Sequence, residues 1–405
     1  MRLRRQLCAE KLFSDWRFRM VPKSSEVDVP VELRERRGVS TRRDFVAALS
    51  TVVAGGVASS AAGSLKVVLA AEQTLRDIAA QKGLIYGCAT TQDRLVADPA
   101  FERLVVDQCG LLVPENALNW NYVEPSPGRF DFHMGEWLAN FAKDRHMKFG
   151  GGTIVWHQGL PAWFSSLAPA DARQVMLQHV TQTVSHFRGR AFSWVVVNEA
   201  LAFRGAGAEL KDTPLLRLVG PDYIDVAFHA ASAADPGALL IYNDNHLEYD
   251  IPEDEYRRKN LLKLLRRLSN AKVPVGALGI QSHLRTGGLP FDGGKLKDFL
   301  SQVSDLGFKI IVSELDVSEK GPEMEVADRD RAIANEISRY LNVVLQEKSV
   351  TGVITWGLSS RYTWLANYAP RSDGQQVRPL PYDSDLRPTQ VWQAMVAAFD
   401  RAPQR

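Results

Sequence analysis

From about residue 84 to the C-terminus, short apolar runs alternate with longer amphipathic ones, and this alternation constrains the fold more than any other feature. The apolar runs fall at 83–89, 111–114, 148–156, 193–198, 239–244, 275–282, 309–314 and 353–357. Between them lie stretches of helical periodicity, among them 170–186, 222–234, 253–271 and 328–347, with a last one at 389–399. Near-continuous apolar strands separated by helices imply a parallel sheet covered by helices. Eight such units over roughly 320 residues fit an α/β fold of the (β/α)8 TIM barrel type, which needs about 250 residues plus insertions. A doubly wound open sheet competes with it. Against that sheet, the first strand–helix turn has no Gly-x-Gly-x-x-Gly phosphate loop. There is no internal repeat beyond the alternation and no low-complexity linker, so residues 71–405 read as one domain.

Residues 1–70 read as a leader. Residues 1–43 carry twelve Lys/Arg against six Asp/Glu, which leaves 37 basic and 41 acidic residues in the rest of the chain. Ser40-Thr41-Arg42-Arg43-Asp44-Phe45-Val46 then opens a weakly hydrophobic stretch of small residues over 46–62. Paired arginines before a modest apolar region resemble a twin-arginine export signal, with small residues at 60–62 or 68–70 for cleavage. That reading puts the mature protein in the periplasm or outside the cell; a basic tail before a short helix is the plainer alternative. No segment approaches the ~18 uninterrupted apolar residues of a membrane span. The mildly acidic body gives no electrostatic case for nucleic acid as a partner. Cys88 and Cys109 could pair in an exported chain, but both sit in apolar surroundings, which suit buried free thiols at least as well.

In such a barrel, function sits at the C-terminal ends of the strands. Those ends read Glu115-Asn116 with Trp120 beyond, Trp156-His157, Asn198-Glu199, Asn243-Asp244, Gln281-Ser282-His283, Glu314-Leu315-Asp316 and Trp356. One strand-end carboxylate is explained by an ion pair. Polar or aromatic ends on seven of eight strands point instead to a polyhydroxylated ligand, with amides and carboxylates for hydroxyls and indole faces for sugar rings. Hydrolysis of a glycosidic bond needs a proton donor and a nucleophile flanking the anomeric carbon. Of Glu115, Glu199, Asp244, Glu314 and Asp316, the pair Glu199 and Glu314 stands on the fourth and seventh strands, across the barrel mouth. One of the two must stay protonated near neutrality while the other is ionised. Asp316 shares the side of an extended strand with Glu314, and His283 ends the neighbouring strand. A chain Asp316–His283–Glu314 would hold Glu314 ionised and aimed, as a nucleophile requires. Asn198 is placed to hold the sugar 2-hydroxyl. There is no His-Glu-x-x-His metal pattern and no Gly-x-Ser-x-Gly, so neither a metal site nor a serine nucleophile is indicated.

The run Leu112-Val113-Pro114-Glu115-Asn116-Ala117-Leu118-Asn119-Trp120, followed by Glu124-Pro125-Ser126-Pro127-Gly128-Arg129-Phe130-Asp131-Phe132, resembles glycoside hydrolase family 10, the β-1,4-xylanase family. So do Thr153-Ile154-Val155-Trp156-His157, Trp194-Val195-Val196-Val197-Asn198-Glu199-Ala200, Tyr242-Asn243-Asp244, Gly279-Ile280-Gln281-Ser282-His283-Leu284 and Ser313-Glu314-Leu315-Asp316. The resemblance runs from about residue 84 to the C-terminus, in order. It implies a retaining endo-1,4-beta-xylanase with Glu199 as acid/base and Glu314 as nucleophile. It also implies that Glu115, Asn116, Trp156, His157, Asn198, Gln281, His283, Trp356 and Trp364 hold or support the glycone sugars, with Asp316 in support. The family needs no metal or organic cofactor. The expected partner is a xylan-like polysaccharide or oligosaccharide, and the expected state a monomer.

The chain departs from the family at Asn119, a substrate-contacting position where Lys is usual, and at Gly152, where His is usual. Val195, Asn245 and Ser360 replace an Asp, a Tyr and an Asp. Glycone recognition is therefore expected to be weaker or altered. Two alternatives follow: a related retaining glycosidase acting on a different glycan, and a carbohydrate-binding barrel with little turnover.

Overall fold

A computed structural model of the protein describes residues 73–319 and 324–405. The leader, with its paired arginines and Cys8, lies outside the described residues. The strands are β1 (Ile85–Thr90), β2 (Leu111–Pro114), β3 (Lys148–Gly151), β4 (Val155–Trp156), β5 (Ser193–Asn198), β6 (Leu239–Asp244), β7 (Ala277–Ile280), β8 (His283–Arg285), β9 (Lys309–Ser318) and β10 (Val350–Thr355). All their pairings are parallel, in the order β1-β2-β3-β5-β6-β7-β9-β10, and β10 returns to β1. The sheet is therefore a closed barrel. It has eight staves, because β4 continues the β3 stave against β5 and β8 continues the β7 stave against β9.

Two staves that read as single runs are broken, each for a local reason. In the third, a Cβ on Gly151 would stand 2.3 Å from the Trp194 ring. Gly152 has φ +118°, and a Cβ there would lie 2.7 Å from the Val195 carbonyl oxygen. The glycines thus let the backbone press onto Trp194 and Val195, and they interrupt the ladder. In the sixth, Ser282 adopts φ 61°. Its N–H donates to buried Glu248 (3.0 Å) and its hydroxyl pairs with Tyr340 (2.7 Å), which stabilises the turn. After that break, His283 pairs with Asp316, Leu284 with Val317 and Arg285 with Ser318, on a β9 that runs past 314 to Ser318.

Alternation along the strands sets the core. Leu111, Ile241, Ala277, Ile311 and Ile354 point inward and fill the barrel. Leu112, Tyr242, Leu278, Ile310, Val312 and Val353 belong to the larger core, against the helices. Each such aliphatic side chain, fully buried, contributes about 1.5–3 kcal/mol. Helix starts follow capping chemistry. Asp292 accepts the N–H groups of Gly294 and Lys295, and Pro252 opens the helix Pro252–Asn270 with three acids in its first turn. Cys88 and Cys109 are both buried and free, which resolves their alternative in favour of thiols. Among the described residues, no helix is long and apolar enough to cross a membrane.

Candidate active site

The ends of β5, β6, β7, β8 and β9 bring seven polar side chains into one hydrogen-bonded row. Gln281 Nε2 donates to Glu199 Oε1 (3.0 Å) and to Asn198 Oδ1 (3.2 Å). Asn243 Nδ2 donates to the same Asn198 oxygen (3.0 Å) and to Glu314 Oε1 (2.7 Å). The second Glu314 oxygen lies 3.1 Å from His283 Nε2, and His283 Nδ1 lies 2.8 Å from Asp316 Oδ1. The indole N–H of Trp364 donates to Asp316 Oδ2 (2.7 Å), with its ring 5.2 Å from that of His283. Burial alone would push the His283 pKa down. The Asp316 and Glu314 carboxylates outweigh it and hold His283 well above the usual imidazole range. His283 is therefore a cation clamped between two anions, and both Glu314 oxygens are occupied by donors.

Asn243 carries this row, although the strand-end reading does not single it out as a site residue. Its Oδ1 accepts from Ser313 Oγ (2.6 Å), which fixes the amide so that Nδ2 faces Glu314 and Asn198. The space for it comes from Gly279, where a Cβ would fall 2.2 Å from Asn243 Oδ1.

Glu199 sits in the left-handed region at φ 56°, and its N–H donates to the Asn243 carbonyl (2.9 Å). That conformation costs a non-glycine residue about 1 kcal/mol, and strain of this kind concentrates where a side chain must be aimed. The electrostatics differ from the sequence expectation. Burial raises the Glu199 pKa, but the Lys211 ammonium, followed by the Gln281 amide, outweighs it and holds the carboxyl down at about 2. Lys211 Nζ stands 3.3 Å from Glu199 Oε2. These neighbours favour ionised Glu199, whereas the sequence reading requires a proton donor near neutrality. The cause is a lysine from the loop after β5, which strand-end reasoning does not reach. His157 is pushed down to about 4, by burial and then by Lys211, so it is neutral at pH 7. The Trp156 indole N–H is buried without a hydrogen-bond partner.

The rim at β2 to β4 is arranged differently. Both oxygens of Glu115 face the Arg94 guanidinium, Nη1 on one and Nη2 (3.4 Å) on the other. Asn119 Nδ2 donates to Asn116 Oδ1 (3.1 Å), and Asn119 Oδ1 accepts from the Thr153 N–H (3.4 Å). Asn119 is only 5% exposed, so it packs beneath Asn116 instead of reaching outward.

Two residues that the sequence puts on the rim, Trp120 and Asp244, are buried instead. Trp120 is 1% exposed, stacks on His179 at 4.1 Å and gives its N–H to Glu124 (2.8 Å), so it braces the loop. Asp244 is fully buried, bound to Tyr242 (2.6 Å) and paired with Arg257. Trp356 is half-buried at the end of β10. Of the departures, Val195 packs in the barrel interior, Asn245 accepts from Arg257 (3.1 Å) and Ser360 is buried.

A (β/α)8 barrel that carries amides and two carboxylates in one row at its C-terminal rim has the frame of a glycoside hydrolase. The family model for glycosyl hydrolase family 10 matches residues 74–398, and the chain belongs to that family. Endo-1,4-beta-xylanase 1 of Humicola insolens is 29% identical over 330 residues, which cover 80% of this chain and 73% of that protein. Beta-1,4-xylanase of Dictyoglomus thermophilum is 30% identical over 306 residues, 73% of this chain and 84% of that protein. The crystal structure of xylanase 10B from Thermotoga petrophila RKU-1 in complex with xylobiose superposes with a TM-score of 0.74 at 25% identity, covering 81% of this chain and 98% of that one.

Proposed function

We propose that this chain is a retaining endo-1,4-beta-xylanase in which Glu314 is the nucleophile and Glu199 the acid/base. The supporting observation is the unbroken row Glu199–Gln281–Asn198–Asn243–Glu314, which ties the two carboxylates together at the barrel rim. In the first step Glu314 attacks the anomeric carbon while the bond to the leaving oxygen breaks and Glu199 gives that oxygen its proton. In the second, Glu199 takes a proton from water, the water oxygen attacks the anomeric carbon, and the Glu314 ester is released. His283 and Asn243 aim Glu314, and Asn198 meets the sugar 2-hydroxyl. The leaving sugar, arriving beside Glu199, must draw Lys211 away for that carboxyl to gain its proton. The Trp156 indole N–H faces Glu199 beyond normal hydrogen-bond length, and neutral His157 is left for sugar hydroxyls.

The test is turnover of an aryl β-xylobioside and of xylan by the full chain, with Glu314→Ala as control. NMR of the first-formed anomer should show retention. Turnover that survives in the control, or an inverted product, removes the assignment. Paired Arg94–Glu115 and Asn116–Asn119 favour a second reading, a retaining glycosidase whose glycone sugar differs from xylose. Activity elsewhere on a polysaccharide panel, without activity on xylosides, would select it.

Residues 71–405 act as one catalytic domain in this reading, as a monomer, which sedimentation tests. Export by the twin-arginine route rests on Arg42-Arg43 and the small-residue stretch behind them. Replacing both arginines by lysine should retain the protein inside the cell.

A further inference from the structure

The strand that carries His283 is short and paired on one side. β8 spans His283–Arg285 and, among the described residues, pairs with β9 alone, so its edge toward β6 has no strand ladder. Side chains from the loop after β6 stand in that place. Just before β8, Glu248 Oε1 accepts the Ser282 N–H (3.0 Å). At its far end, the Tyr249 hydroxyl accepts the Arg285 N–H (2.7 Å) and donates to the Arg285 carbonyl (3.2 Å). His283 lies between these two attachments. Ser282, with φ 61°, is also held from the helix Val326–Val344. Its hydroxyl proton goes to the Ile280 carbonyl (3.1 Å), so Tyr340 donates to its oxygen (2.7 Å).

The two attaching residues are anchored in turn to the start of the helix Pro252–Asn270. Asp254 Oδ2 accepts both the Glu248 N–H (3.1 Å) and the Tyr249 N–H (2.8 Å). Arg258 Nη1 donates to the carbonyls of Leu247 (2.9 Å) and Tyr249 (2.8 Å). The second oxygen of Glu248 takes the Leu247 N–H (2.8 Å). Every N–H of the segment 247–249 is therefore engaged, and the segment cannot shift without breaking several bonds at once. Glu248 and Asp254 are both buried, and neither belongs to the catalytic row. Two adjacent buried carboxyls are a costly choice for packing alone. Their bonding gives them different tasks. Glu248 needs two acceptor oxygens, one for each backbone N–H, whereas Asp254 receives both of its donors on one oxygen and leaves Oδ1 without a hydrogen-bond partner. Burial, then the neighbouring Glu248, pushes the Asp254 carboxyl up to about 7. Acceptor geometry, not full negative charge, is what Asp254 supplies.

We propose that Glu248 and Tyr249, anchored by Asp254, are positioning residues that hold β8 in place so that His283 meets the nucleophile. The proposal rests on the assignment of Glu314 to that role. His283 lies 3.1 Å from Glu314 Oε2 and 2.8 Å from Asp316 Oδ1. A displacement of β8 by about 1 Å takes both contacts out of hydrogen-bond range, and misplacement of that size costs up to about 10²-fold in rate. Gln281, on the other side of Ser282, is fixed independently. Its N–H donates to the Asp244 carbonyl (3.0 Å), and its carbonyl accepts the Glu314 N–H (3.0 Å). The bracket therefore acts on the nucleophile and leaves the contact between Gln281 and Glu199 intact.

Two measurements on the full chain test it, an NMR titration with isotope-labelled histidine and the kinetics of aryl β-xylobioside turnover. The His283 signal is identified by its loss in His283→Gln. In the native chain Asp316 and Glu314 hold His283 well above the usual imidazole range. In Tyr249→Phe the ring should leave these carboxylates and titrate at lower pH. Glu248→Gln should move it further, because the new amide turns an N–H against one of the two backbone donors. For Tyr249→Phe, kcat should fall about tenfold with KM within about twofold of native. The limb of kcat/KM that falls with rising pH belongs to Glu199 and should stay in place. Asp254→Ala should lower kcat similarly, and Asp254→Asn should recover most of that loss, since its amide oxygen accepts the same two N–H groups. Tyr86→Phe, which deletes a buried hydroxyl bonded to Thr355 (3.1 Å), is the control for lost stability alone. A native His283 titration in Tyr249→Phe overturns the proposal, and so does a kcat loss no greater than that of Tyr86→Phe. Should Glu248→Gln fail to fold, Tyr249→Phe still decides. Absent turnover by the native chain removes the catalytic reading separately, because the His283 titration is read without substrate.

Discussion

Two parts of the barrel rim are made of the same kinds of residue, strand-end carboxylates and amides, and are put to different use. Around Glu199 and Glu314 the amides of Asn198, Asn243 and Gln281 are aimed at the two carboxylates. At the ends of β2 to β4, Glu115 is held by Arg94, and Asn116 is held by an Asn119 that is itself buried. What a polar residue at a strand end can do therefore depends on which neighbours take its hydrogen bonds: amides and an imidazole that aim a carboxylate, or a guanidinium that holds it. The difference separates bond cleavage from sugar holding. Changes at the first rim should act on kcat, and changes at the second on KM.

The largest effect is expected at Glu314. Glu314→Ala should lower kcat on an aryl β-xylobioside by at least about 10⁴-fold, as for loss of a covalent nucleophile. A loss under a hundredfold would take Glu314 out of that role. Next comes the amide that aims it. Asn243→Ala should cost about 10²–10³-fold in kcat, the scale of one preorganised donor. Gly279→Ala should cost nearly as much, because the new methyl would occupy the place of Asn243 Oδ1. If Gly279→Ala is silent, the link between that glycine and the catalytic row is wrong.

Lys211→Met probes the electrostatics of the same rim. The ammonium favours ionised Glu199, so its loss raises the Glu199 pKa. The general acid works only when protonated. The limb of kcat/KM that falls with rising pH should therefore move to higher pH, by about one unit. A limb that stays, or moves lower, refutes this role for Lys211. The smallest effect belongs to the second rim. Arg94→Ala frees Glu115 for sugar and should change KM several-fold, roughly 1 kcal/mol, with a smaller change in kcat. A variant that changes kcat more than KM would erase the distinction between the two rims.

Much of this arrangement can be read along the chain. The strand period puts Glu314 and Asp316 on one side of β9, and the end of the sixth stave puts His283 beside them. In the structure, His283 does lie between the two carboxylates. The broken staves are less visible, because a run such as 275–282 looks continuous until Glu248 and Tyr340 arrive to hold Ser282 in its turn. Trp120 is misleading for a related reason. An indole next to a rim motif has the composition of a sugar platform, yet its ring stacks on His179 from the helix Pro169–His186.

What the sequence determined by itself is the barrel, its strand-end chemistry and the family, since each depends on period and order along one chain. What only the tertiary structure decided is the state of those residues. Lys211 reaches Glu199 across twelve positions of loop, and Arg94 reaches Glu115 from the helix Gln92–Ala97 after β1. Periodicity fixes the side on which a side chain leaves its strand. Which charge meets it there depends on how loops close in space, and at contact distance that charge sets both the pKa and the ligand.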